Sequence, residues 1–125
     1  MPKQNKKVLA VVDDLLFTVK ISDTAKRLGL ETEFLKSDTD VLDRAKTDPL
    51  MIIIDLNSTS VQPLKLIEKL KSDPELKSIS LIAFLSHVQG ELKLKAQEAG
   101  ANLVMARSAF SQNLPQLLKR HAGIV

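Results

Sequence analysis

Apolar positions along the chain follow two rhythms that take turns. Residues 8–12 (Val-Leu-Ala-Val-Val) and 50–54 (Leu-Met-Ile-Ile-Ile) are uninterrupted apolar runs, the pattern of a strand buried on both faces of a parallel sheet. Residues 80–85 and 102–106 read the same way with polar first residues, and residues 31–36 form a shorter alternating stretch. Between these runs, residues 17–28, 41–45, 63–72, 91–99 and 110–121 carry apolar side chains at helical spacing, as amphipathic helices do. Gly29 and Gly100 stand where two of these helices should stop. Pro63 suits a first helical turn, and the last helix accommodates Pro115 on condition that this residue also lies in a first turn.

The resulting order is a strand and a helix repeated five times, without linker, low-complexity tract or internal repeat. Such alternation predicts an α/β domain with right-handed crossovers and a parallel sheet covered on both faces. One domain over residues 1–125 is expected, with residues 1–6 disordered. Ligands of such sheets bind beyond the carboxyl ends of the strands. The residues that follow the predicted strands are therefore worth reading together: Asp13 and Asp14, then Asp55, Ser86 and Arg107.

Composition narrows the chemistry. The chain has 125 residues, of which 44% are hydrophobic and 26% charged, ordinary values for a globular domain. It contains four Phe and no Trp, Tyr or Cys. Disulfides, thiolate metal sites and a Cys nucleophile are thereby excluded, which suits a reducing compartment. The first apolar run stops at Asp13, too short for a signal core or a membrane span. A cytoplasmic location and no membrane partner are the expectation. The formal charge is +3 and the pI about 9.2. The basic residues are interspersed with carboxylates apart from Lys3, Lys6 and Lys7, and no aromatic residues interleave with them, so a nucleic-acid partner is not expected.

Three carboxylates gathered at one sheet edge repel one another and would raise the pKa of at least one of them. A hard divalent cation relieves that repulsion, and magnesium suits a few carboxylates, a backbone carbonyl and retained waters. Asp55 could then attack a phosphoryl group to give an aspartyl phosphate. Arg107 is placed to neutralise the transferring oxygens, and Ser86 to offer them a hydroxyl. Each residue also has a plain structural role open to it: an Asp or Ser after a strand often caps the next helix, and an Arg often forms an ion pair. Capping, however, does not call for acids on two strands together with a hydroxyl and a base on two others.

With these residues placed, the chain resembles the receiver domain of bacterial two-component response regulators over its whole length. "KVLAVVDDLLFTVKI" is similar to that family's first strand and acidic pair, "MIIIDLN" to its third strand and phospho-acceptor, and "LIAFLSH" to its fourth strand and Ser/Thr. "EAGANLVMARSAF" resembles the segment leading to the family's Lys-Pro. The resemblance implies a (βα)5 flavodoxin-like fold with strand order 2-1-3-4-5. It implies phosphorylation on Asp55, magnesium on Asp14, Asp55 and the backbone carbonyl of Asn57, Asp13 acting through water, and Ser86 as a switch hydroxyl. It also implies a histidine kinase or phosphotransfer protein as donor, and output through the face of the fourth helix, fifth strand and fifth helix, to a downstream protein or in a homodimer. Such a domain is not an enzyme beyond self-catalysed phosphotransfer and autodephosphorylation.

The sequence departs from that family at several points. Arg107 stands in place of Lys, and a planar guanidinium is not a substitute for an ammonium. Ser108 replaces a Pro whose preceding bond is usually cis, so a trans bond and a reshaped loop are expected. Val104 replaces an aromatic residue, His87 stands where a small residue is usual and could gate the pocket, and "LNSTSVQP" lacks the usual Met-Pro and Asp-Gly. These changes leave the acids in place and weaken the output switch. The alternative is a degenerate pseudo-receiver that works as a phosphorylation-independent interaction module, with Arg107 bridging Asp13 or Asp55. A third reading, an aspartyl-nucleophile phosphohydrolase, would want a second Asp two residues after the nucleophile, where this chain has Asn57.

Overall fold

The structure is a computed structural model that describes residues 6–86 and 90–122. Ten elements alternate as the hydrophobic pattern predicts: β1 (Lys7–Val11), α1 (Leu15–Arg27), β2 (Glu31–Phe34), α2 (Asp38–Ala45), β3 (Met51–Asp55), α3 (Pro63–Ser72), β4 (Ser80–Leu85), α4 (Gly90–Ala99), β5 (Leu103–Ala106) and α5 (Arg107–Ala122). All neighbouring strands are parallel, in the order β2-β1-β3-β4-β5. This is the flavodoxin-like (βα)5 arrangement. The expectation for residues 1–6 falls outside the described residues except at Lys6.

The unbroken apolar runs are explained by two cores, one on each face of the sheet. Leu9, Val11, Ile52, Ile54, Leu81 and Ala83 point to a core completed by Val41 of α2, Leu66, Ile67 and Leu70 of α3, and Ala96 of α4. Their neighbours Val8, Ala10, Met51, Ile53, Ile82 and Phe84 point the other way, against Ile21 and Ala25 of α1 and Phe110, Leu114 and Leu118 of α5. Alternate residues of a strand face opposite sides, so burying both faces requires every position to be apolar. Each large side chain so buried stabilises the fold by roughly 1.5–3 kcal/mol.

Local signals set the helix ends. Asp14 caps α1, accepting from the backbone N–H groups of Leu16 and Phe17. The other end closes as Leu30 N–H donates to the Ala25 carbonyl and Gly29 N–H to that of Lys26, with Gly29 at φ 76°, a left-handed closure that glycine adopts at little cost. Ser37 caps α2, and Pro63 opens α3.

The last helix differs from expectation. It begins at Arg107, directly after β5 and three residues earlier than the apolar spacing suggests, so that Pro115 lies in its interior rather than its first turn. An interior proline removes one backbone hydrogen bond and crowds the preceding turn, at about 3 kcal/mol. Phe110, Leu114, Leu117 and Leu118, all buried, hold the helix on the sheet regardless. Among the described residues no peptide bond is cis, so the Arg107–Ser108 bond is trans and leads straight into the helix. No helix of the described residues is long and apolar enough to cross a membrane.

Candidate functional site

Because the strands are parallel, their carboxyl ends share one edge, and the residues that follow β1, β3, β4 and β5 meet there. Asp55 is the last residue of β3, in register with Phe84 of β4, and it is 8% exposed. Its Oδ1 accepts from the Asn57 N–H at 2.9 Å. Burial pushes its pKa above the usual carboxylate range; Asp13 and Asp14 push the same way, while the Asn57 N–H and the Arg107 charge act against the rise. The three acids and the base that the sequence singles out therefore lie within electrostatic reach of one another.

Asp13 and Asp14 are adjacent in sequence but held by different elements. Asp13 is gripped by the loop after β3: Ser58 Oγ and Thr59 N–H donate to its Oδ2 at 3.1 and 2.9 Å, and Ser60 Oγ to its Oδ1 at 2.8 Å. Burial pulls its pKa upward, but the hydrogen bonds from Ser60, Thr59 and Ser58, with the nearby Lys36 charge, bring it below the ordinary value. Asp14 combines the helix-cap role with a role at the edge. Its Oδ1 accepts from Leu16 N–H at 2.8 Å, and its Oδ2 accepts from the Arg107 guanidinium in an ion pair.

Arg107 thus forms an ion pair, but with Asp14 and not with Asp13 or Asp55. The reason lies in Phe17, a residue that sequence reasoning reads as a helix core position only. The guanidinium carbon lies 4.4 Å from the centroid of the Phe17 ring, a cation–π contact that a planar guanidinium makes well. Phe17 in turn packs on Phe84 and Phe110, with centroids 5.2 and 6.2 Å away. The aromatic shelf aims Arg107 across the edge from α5 to α1.

The remaining polar tips are tied to the same edge. Asn57 Oδ1 accepts from the Ser86 N–H at 2.7 Å, joining the turn after β3 to the end of β4, and leaves Ser86 exposed. His87 lies outside the described residues. The Ser58, Thr59 and Ser60 donors form a polar run that starts three residues after Asp55; only the fold reveals that they serve Asp13.

Carboxylates at a sheet edge are the donor chemistry that a hard divalent cation takes. The arrangement does not yet present it. Both oxygens of Asp13 are engaged by the Ser58–Thr59–Ser60 loop, one oxygen of Asp14 faces Arg107, and among the described residues no three acidic or histidine side chains are grouped as a metal site.

No family model matches the sequence, and no curated protein does. Solved structures do match. The signal receiver domain of a signal transduction histidine kinase from Syntrophus aciditrophicus superposes with a TM-score of 0.81 at 20% identity, covering 94% of this chain and 90% of that one. The receiver domain of a sensor histidine kinase from Pseudomonas aeruginosa, with a magnesium ion coordinated in its active-site cleft, gives 0.79 at 17% identity over 95% and 98% of the two chains. A chemotaxis response regulator of Vibrio cholerae gives 0.78 at 21% identity over 94% and 99%. At these identities the likeness establishes the fold alone: these receiver domains share the (βα)5 arrangement over 94–95% of this chain.

Proposed function

We propose that the chain is a phospho-acceptor signalling domain in which Asp55 takes a phosphoryl group from a histidine kinase or a phosphotransfer protein. The observation that carries this reading is the setting of Asp55: a buried carboxylate at the carboxyl edge of the sheet, with two further carboxylates and a guanidinium acting on its charge. The likeness to receiver domains supports it.

In the reaction, an Asp55 carboxylate oxygen attacks phosphorus. The bond from phosphorus to the donor's imidazole nitrogen breaks, the ring, already protonated on its other nitrogen, leaves as neutral imidazole, and an acyl phosphate remains on Asp55. The Asn57 N–H fixes one carboxylate oxygen so that the other can act as nucleophile. Arg107 supplies positive charge to the transferring oxygens, and Ser86 offers a hydroxyl from the end of β4. Asp14, Asp55 and the Asn57 carbonyl would hold magnesium directly, with Asp13 acting through water; a bound cation would add charge neutralisation at the transferring oxygens. Output passes through the face formed by α4, β5 and α5, where Leu94 and Leu103 are exposed, toward a downstream protein or a second copy in the cytoplasm.

One observation favours a second reading. The Arg107–Asp14 pair is already formed, as a constitutive interaction module with an internally neutralised edge would have it. Treatment with a small-molecule acyl phosphate and magnesium separates the two. Wild type should gain one base-labile phosphoryl group, seen by intact mass, and Asp55→Asn should gain none. Equal labelling of both proteins, or no labelling together with an amide spectrum unmoved by beryllofluoride and magnesium, would discard the acceptor role.

A further inference from the structure

Asp14 carries two duties that a cation site would disturb unequally. Its Oδ1 caps α1 through Leu16 N–H at 2.8 Å, and that bond is local, two residues away. Its Oδ2 is held by Arg107, 93 residues away, across the mouth of the site. Arg107 is held at this edge from two sides. It is the first residue of α5, joined to β5 without a loop, and its guanidinium lies on a Phe17 ring that is itself seated against Phe84 and Phe110. A cation in the first turn of a helix also meets the positive end of the helix dipole. Among the described residues α5 has no acid in its first turn to offset this, so Asp14 supplies the compensating charge.

We infer that Arg107, aimed by Phe17, is an intramolecular competitor for Asp14, so that a divalent cation enters the acidic edge only as the guanidinium leaves it. This deepens the proposed function and rests on the reading of the edge as a cation site. A guanidinium released from Asp14 remains beside Asp55, whose charge it already influences. Cation entry and release of Arg107 from Asp14 are then one coupled event. Phe17 acts through Arg107 and is a positioning residue.

The experiment is a titration of the full chain with magnesium chloride, read by calorimetry and by amide and Arg side-chain nuclear magnetic resonance, with no phosphoryl donor present. Arg107→Ala should bind magnesium more tightly than wild type by about tenfold, the size of one strong charge-assisted contact removed from the competition. Phe17→Leu, which keeps an apolar filling but removes the shelf, should fall between the two. Lys36→Ala removes a cation that acts on Asp13 and not one bound to Asp14, and should change affinity by no more than about twofold through screened electrostatics. In wild type, the Arg107 side-chain signals should shift with the same saturation curve as the amides of Asp14 and Leu16.

Equal affinities for wild type and Arg107→Ala would overturn the competition. So would a gain in Lys36→Ala as large as in Arg107→Ala, which would make the effect one of general charge, or no saturable binding in Arg107→Ala. Because no phosphoryl donor is used, competition can hold in a chain that fails the labelling test. Labelling of Asp55 can likewise succeed where competition fails.

Discussion

The two ends of the sheet both carry polar clusters, and they are built on opposite principles. At the amino end, Lys71 reaches from α3 to three acceptors: the carbonyls of Lys77 and Ile79 at 3.0 and 2.8 Å, and Asn102 Oδ1 at 2.8 Å. Asn102 Oδ1 also accepts from the Leu81 N–H at 2.8 Å, so one ammonium and one amide fasten the starts of β4 and β5. Gly100, at φ 117°, lets the chain pass so close that a Cβ there would lie 2.7 Å from Lys71 Cγ. At the carboxyl end the charges are carboxylates, and their partners are hydroxyls, the backbone N–H groups of Leu16, Phe17, Asn57 and Thr59, and a guanidinium. An ammonium has three protons and no acceptor capacity, so three neutral acceptors complete it. A carboxylate edge with several acids has more negative charge than its neutral partners remove, and it stays open to a cation or to an electrophile. The first arrangement closes a structure; the second leaves chemistry available.

That contrast predicts which end tolerates change. Gly100→Ala should have the largest effect, costing about 2–3 kcal/mol, because a left-handed conformation and a steric overlap with Lys71 coincide. Urea unfolding followed by far-ultraviolet circular dichroism measures it; a loss below half a kcal/mol would mean that the Lys71 side chain gives way freely. Lys71→Met should cost about 1–2 kcal/mol by the same measurement, since it strips a charged donor from three acceptors. Burial pushes the Lys71 ammonium's pKa down, which keeps the expected loss modest.

At the carboxyl end the sign reverses. The pKa of Asp55 is raised above its unfolded value, so its ionised form weakens the fold above that pKa, and the penalty fades as pH falls through it. Asp55→Asn should therefore be more stable than wild type at pH 7, and the gain should shrink as the pH drops toward the ordinary carboxylate range. A destabilised Asp55→Asn at pH 7 would show that Asp55 is a structural residue like Lys71. The smallest effect is expected for Ser60→Ala, about 0.5 kcal/mol at neutral pH. Asp13 has a lowered pKa, so it stabilises the fold above its unfolded pKa, and this contribution is lost as pH falls through the folded value. Removing one of its donors should move the Asp13 titration upward, as read by carboxyl carbon resonances, with Asp55 moving less.

Much of this architecture was legible in the chain. The runs at residues 8–12, 50–54 and 80–85 can be buried only between two layers of helices, and Gly29, Gly100 and Pro63 punctuate the pattern where backbone geometry demands it. Placing Asp13, Asp14, Asp55, Ser86 and Arg107 at one edge follows from the parallel order of the strands. The start of α5 was not legible, because Arg107, Ser108 and Ala109 carry no apolar periodicity and Pro115 argues locally against an interior helical position. Burial of Phe110, Leu114, Leu117 and Leu118 outweighs that local preference.

Sequence by itself determined which residues reach the edge, since apolar runs mark the buried strands and a parallel sheet brings their carboxyl ends together. Which of them pair was decided only by the tertiary structure: Arg107 with Asp14 over Phe17, and Asp13 with Ser58, Thr59 and Ser60. Periodicity specifies the face on which a side chain lies. Partnership between charges depends on distances of a few ångströms between segments far apart in sequence, and these are set by how the two cores pack.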